Sequence, residues 1–156
     1  MITVVTPDAE QVTRWLQQAN IQHYICDQCH GLHLSELQSR EGVVDARLFV
    51  EEDGLLLTTE LEIRPGALFA VQAELSALNM QYPSLKLFLD VNDDSMPRLV
   101  ACDLLLGRQG VTFDQFIYFV QATVDGTVQL LEECQQAGWL FWPDEEGAPA
   151  EPGALH

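Results

Sequence analysis

The chain has almost no positive charge. Seven basic residues stand against 24 acids in 156 residues, a formal net charge of −17. The seven are Arg14, Arg40, Arg47, Arg64, Lys86, Arg98 and Arg108, scattered singly with no basic stripe. Nucleic acids are held by Lys and Arg that neutralise phosphates, and anionic membrane surfaces by polybasic clusters. Neither nucleic acid nor membrane is therefore expected as a direct partner. Long apolar runs are also missing, and none approaches the ~18–20 residues that span a bilayer. The tract Leu99–Leu106 is interrupted by Asp103, and Met1 to Pro7 has neither the basic nor the apolar region of an export signal. These absences point to a soluble, cytoplasmic protein whose four cysteines are reduced thiols. No G-x-S-x-G, P-loop or G-x-G-x-x-G occurs, so neither catalytic chemistry nor a cofactor is expected.

What is present is a core. The chain is 47% hydrophobic, so its acidity does not signal disorder, and 156 residues is the length of one domain. Thr6-Pro7 with Asp8 and Glu10 reads as a helix start, Val12, Trp15, Leu16 and Ala19 as its apolar stripe, and Asn20 as its stop. Short period-two segments follow: Ile21 to Cys26, Leu32 to Leu34, and Val44 to Val50. Asp53-Gly54 signals a hairpin, and Leu55, Leu57, Leu61 and Ile63 line the inward face of the returning strand. Pro65 opens a second helix carrying Leu68, Val71, Leu75 and Leu78. Its alanines, Ala67, Ala70, Ala73 and Ala77, allow close approach of another element, either the chain's own sheet or a second chain. Leu85 to Val91 and Arg98 to Leu106 form another hairpin around Asn92 to Ser95. Thr112 and Gln115 fit a capping box, and Phe113, Phe116, Ile117, Val120, Val124, Val128 and Leu131 continue a third helix toward Gly138. The order predicts an α+β fold, an antiparallel sheet flanked by three helices. One domain over 1–142 is expected, followed by an acidic, disordered tail over 143–156.

Candidate chemistry is sparse. Cys26-Asp27-Gln28-Cys29-His30-Gly31-Leu32-His33 offers two thiols and two imidazoles at zinc-knuckle spacing, but a structural zinc site normally has a second ligand pair. The plainer reading is a turn between two strands; no metal is expected, with Cys26, Cys29, His30 and His33 as the alternative ligands of a thiol- or metal-dependent sensor. Asp90 to Asp94 imitates a calcium loop, yet Ser95 and Ala101 stand where the pattern needs Gly and Glu. Trp15 and the Trp139, Phe141, Trp142 cluster are aromatic anchors of the kind enriched at binding hot spots.

An ordered set of short motifs then becomes recognisable. It runs Trp15-Leu16, Cys26-Asp27-Gln28-Cys29, Leu32-His33-Leu34, Gly42-Val43-Val44-Asp45-Ala46, Arg64-Pro65 and Leu75-Ser76-Ala77-Leu78-Asn79. It continues with Phe88-Leu89-Asp90-Val91-Asn92-Asp93-Asp94, Pro97-Arg98-Leu99-Val100 and Gly110-Val111-Thr112-Phe113-Asp114-Gln115-Phe116. In this order the chain resembles the bacterial YbjN family from the first helix to the third. His30 departs from the pattern at its position, which weighs against a metal role there. The resemblance implies a fold like that of type III secretion chaperones. It also implies a homodimeric, protein-binding sensory-transduction regulator, linked to stress response, motility or surface polysaccharide, with no catalytic residues to carry over.

Overall fold

In the computed structural model, residues 2–26, 28 and 30–141 are described; the expected boundary at 142 and the tail lie outside them. Six strands form one antiparallel sheet: β1 His23–Ile25, β2 Leu32–Leu34, β3 Val43–Val50, β4 Gly54–Glu62, β5 Lys86–Asp90 and β6 Arg98–Leu106, in the order β1-β2-β3-β4-β6-β5. The helices are α1 Ala9–Gln18, a four-residue α2 Ser35–Gln38, α3 Leu68–Gln81 after a 3-10 turn at Pro65–Ala67, and α4 Phe113–Gln136. The α+β expectation holds, with one short helix more than the periodicity predicts. Four residues are too few to display a 3.6-residue repeat.

Local chemistry explains most of the boundaries. Helix α1 begins two residues later than Thr6-Pro7 suggests. Val5 is tied to Val111 by two backbone bonds, which keep the chain extended until Asp8 takes the cap and accepts from the Gln11 N–H at 2.8 Å. Asn20, at φ 58, stops the helix as expected. Gly54 is required at the β3–β4 hairpin, because a Cβ there would overlap the Leu105 carbonyl oxygen. At α4 the capping box is complete: Gln115 N–H donates to Thr112 Oγ1 at 3.0 Å, and Thr112 N–H to Gln115 Oε1 at 2.9 Å.

Strand alternation divides the sheet into two unlike faces. Leu48, Leu55, Leu57, Leu61, Leu99 and Ala101 point to one face and are buried under the helices. Arg47, Phe49, Leu56, Thr58, Glu60, Val100 and Leu104 point to the other, which no helix among the described residues covers. Two clusters make up the core. Val12, Trp15, Leu16, Leu34, Leu37, Leu48 and Phe116 fill one end, and Val71, Leu78, Leu87, Leu99, Leu130 and Cys134 the other. Helix α4 crosses both. Its buried face is therefore broader than one stripe and includes Phe119, Thr123, Thr127 and Leu130 beside the expected positions.

Two side-chain amides complete the backbone pairing where strands lack neighbours. Asn79 of α3 accepts the Leu87 N–H at 2.9 Å and donates to the Leu87 carbonyl at 3.0 Å, so it stands in for a strand along the edge of β5. Gln38 of α2 accepts the Ala46 N–H at 3.0 Å and donates to the Val44 carbonyl at 2.9 Å, where β2 ends before β3 does. Each also ties a helix to a strand. Asn79→Leu is expected to cost about 1–3 kcal/mol, since both polar groups of Leu87 lose this partner. Urea denaturation with an unchanged slope would record the loss.

Under α4 one carboxylate faces inward. Asp103 Oδ2 accepts from Thr123 Oγ1 at 2.8 Å, yet burial pushes the Asp103 carboxyl above its ordinary value, against the lowering effect of that bond. A carboxyl with a raised folded-state pKa holds its proton more tightly when folded, so its ionised form opposes folding at neutral pH. Asp103→Asn retains an acceptor for Thr123 without the charge. The substitution is expected to raise the thermal midpoint at pH 7 by about 2 °C. The gain should shrink as pH falls through the folded-state pKa of Asp103 toward its unfolded value. A gain that grows on acidification would contradict this account.

Candidate functional site

The expected aromatic anchors fall in different places. Trp15 is only 6% exposed. Its ring lies 5.2 Å from Phe116 and 6.2 Å from Phe113, so it fills the core where α1 crosses α4 and is not a surface anchor. The helical stripe that contains Trp15 faces the sheet, which decides its burial. Trp139 is half-buried after α4, fixed by its N–H to Cys134 and by its carbonyl to Arg64. Phe141 is half-buried and donates its N–H to Glu62, next to the bridge between Leu140 and Ile63. Trp142 lies outside the described residues.

Trp139 forms one wall of a groove of about 440 Å³, completed by Ala70, Ala73, Glu74, Ala77 and Gln81 of α3 and by Glu133 of α4. The alanines divide. Ala67 packs inward at 3% exposure, whereas Ala70, Ala73 and Ala77 face solvent. Phe69 and Met80, 82% and 83% exposed, extend this outer face. Between Glu62 and Asp90 the chain has a single acid, Glu74, so the face is nearly free of the charge that dominates the rest.

The open face of the sheet is chemically different. Glu60 sits between two arginines, 3.1 Å from Arg47 and 3.1 Å from Arg98, with its side chain 13% exposed. Lys86 lies over the Phe88 ring and Arg47 over Phe49. Three of the seven bases thus share this face with Leu56, Leu104 and Leu106.

At the far edge of the same face, part of the cysteine-histidine string is brought together. His33, 5% exposed, presents Nε2 at 3.2 Å from Cys26 Sγ and Nδ1 at 2.8 Å from Gln38 Oε1. Tyr24 stacks on the imidazole at 4.8 Å and 5°. His30 is exposed, and Cys29 lies outside the described residues. Among the described residues no group of three or more His, Cys, Asp or Glu is arranged to hold a metal. Of the other two described thiols, Cys134 is buried and Cys102 half-buried. Burial, then the Glu133 charge, pushes Cys134 up to about 12, and burial raises Cys102. Sequence reading missed Gln38, because its helix is short and it lies outside the cysteine-histidine string. It also missed Tyr24, whose role follows only from strand register.

Relatives place this architecture. A family model described as "Putative bacterial sensory transduction regulator" (YbjN) matches residues 8–136. YbjN of Escherichia coli K12 is 34% identical over 147 residues, covering 94% of this chain and 93% of that protein. YbjN of Shigella flexneri matches with the same identity and coverage. Among solved structures, the chain is similar to the crystal structure of E. coli YbjN, described as "a putative transcription regulator", with TM-score 0.85 and 33% identity over 89% of this chain and 99% of that one. A protein from Methanothermobacter thermautotrophicus shares the fold alone, with TM-score 0.50 and 12% identity over 82% of this chain and 96% of that one.

Proposed function

Because the chain belongs to the YbjN family, we propose that it is a non-enzymatic, cytoplasmic regulator that works by binding protein, as a homodimer built in the manner of secretion chaperones. One observation carries this reading: on the outer side of α3, Phe69, Ala70, Ala73, Ala77 and Met80 are exposed beside a single acid, Glu74, and no other element among the described residues covers them. Its occupant is a second copy of the same chain. Two chains of charge −17 repel one another, so a stable two-fold contact must use a surface where acids are scarce. The span between Glu62 and Asp90 meets that condition. Ala70, Ala73 and Ala77 let two helix backbones approach closely, while Phe69 and Met80 extend the apolar contact.

The open sheet face is then left for a partner polypeptide. Phe49, Leu56, Phe88 and Leu104 supply apolar contact there, and the acidic remainder of the surface speeds the approach of basic segments. A role in transcription, which the description of the E. coli structure suggests, would run through such a protein partner. Seven scattered bases do not neutralise a phosphate backbone. No helix among the described residues is long and apolar enough to cross a membrane. Stress response, motility and surface polysaccharide are the processes this regulator would serve.

Light scattering over the micromolar range is expected to give twice the chain mass. Ala73→Glu sets a carboxylate against its own copy across the two-fold, and should weaken self-association by at least about tenfold with the fold intact by circular dichroism. A monomeric wild-type chain, or a dimer indifferent to both Ala73→Glu and Ala77→Glu, would remove α3 as the interface.

A further inference from the structure

We propose that Cys26 is a modification site: a thiol that reacts with hydroperoxides, with His33 as its base and Gln38 as the positioning residue.

The amide orientation of Gln38 is fixed by the backbone. Its Oε1 must accept the Ala46 N–H, and its Nε2 must donate to the Val44 carbonyl; the flipped amide would set donor against donor and acceptor against acceptor. That oxygen also lies 2.8 Å from His33 Nδ1. Nδ1 therefore carries the hydrogen and donates it to Gln38. The neutral ring is left with its lone pair on Nε2, 3.2 Å from Cys26 Sγ. The thiol donates to that lone pair, so a base already stands on the path of its proton. When the proton moves, Nδ1–H keeps its bond to Gln38, and the stacked Tyr24 ring favours the cation that forms. The ring cannot turn away, because it is buried, stacked and bonded in its own plane.

Cys26 is half-buried and not enclosed in the core, which leaves its side chain partly open to a small reagent. The step balances. The thiol proton passes to Nε2, the thiolate attacks one peroxide oxygen, the S–O bond forms and the O–O bond breaks. The departing hydroxide then takes the proton back from Nε2 as water. Cysteine sulfur is oxidised to sulfenic acid by two electrons, and hydrogen peroxide is reduced. Cys102 and Cys134 lack this arrangement: Cys102 Sγ donates to the Lys86 carbonyl at 3.7 Å, Cys134 is buried, and burial raises both thiols.

The test uses the full-length Cys29→Ser chain, so that the thiol three residues on does not consume the product. The native protein is treated at pH 7 with hydrogen peroxide and dimedone, and adducts at Cys26, Cys102 and Cys134 are timed by site-resolved mass spectrometry. Cys26 is expected to react at least about a hundredfold faster than either of the others, the low end of what a positioned base contributes. In urea the three rates should converge to within about twofold. His33→Asn should slow Cys26 by at least about a hundredfold, and Gln38→Leu in the same direction. Gln38→Glu keeps an acceptor for His33 Nδ1–H while losing the donor to Val44, as Gln38→Leu does. It should therefore restore the rate if Gln38 acts by positioning the ring, and not if it only braces the strand. Cys26 reacting no faster than Cys102 in the native chain would overturn the proposal without any variant at the site. Equal rates for the Leu and Glu variants would overturn the role of Gln38.

Discussion

Everything in this fold follows from one helix lying across one face of the sheet. α4 has 24 residues and is about 36 Å long. It crosses both halves of the core, meeting α1 at one end and the α3 side at the other. Its cap is fixed at Thr112, and its end at Gly138 returns the chain to the sheet through the Leu140–Ile63 bridge. With all large helices of the described residues on that side, they leave the opposite sheet face open, and α3 packs on the sheet through Val71 and Leu78 with Ala70, Ala73 and Ala77 turned outward. The surfaces available for function are those the single helical layer leaves uncovered.

A one-layer arrangement also leaves strand backbone to be satisfied. Gln38 and Asn79 solve the same problem at two places by offering an amide where a strand would have offered a peptide group. Exposed strand edges template unwanted pairing, and such caps blunt them. Gln38 has a further consequence. Because its amide cannot flip, the spare lone pair of its oxygen decides which nitrogen of His33 carries hydrogen. A structural bond thereby sets the chemistry of the neighbouring thiol, and the proposed reactivity of Cys26 rests on that coupling.

Much of this was legible in the sequence. The period-two strands, the Asp53-Gly54 hairpin, the capping box at Thr112 and the stop at Gly138 are local signals, and the structure follows them. Burial of aromatic residues was not legible to the same degree. Trp15 and Trp139 look alike as anchors, but which of them meets solvent depends on which helix face the sheet claims. The alanines of α3 posed the same question, and spacing gives no means of telling the inner side of a helix from the outer when both are apolar. The link between Cys26, His33 and Gln38 joins two strands to a helix of a single turn. Cys26 and His33 stand out in the sequence within one string, Gln38 does not, and only the register brings the three together.

The central claim is that the uncovered side of α3 is closed by a second copy of the chain. The most direct measurement is an isotope-filtered nuclear Overhauser experiment on an equal mixture of carbon-13-labelled and unlabelled protein. The account predicts contacts between copies from the methyl groups of Ala70, Ala73, Ala77 and Met80, with none from Leu56 or Leu104 on the open sheet face. Contacts arising from the open face, with the α3 methyl groups silent, would contradict it.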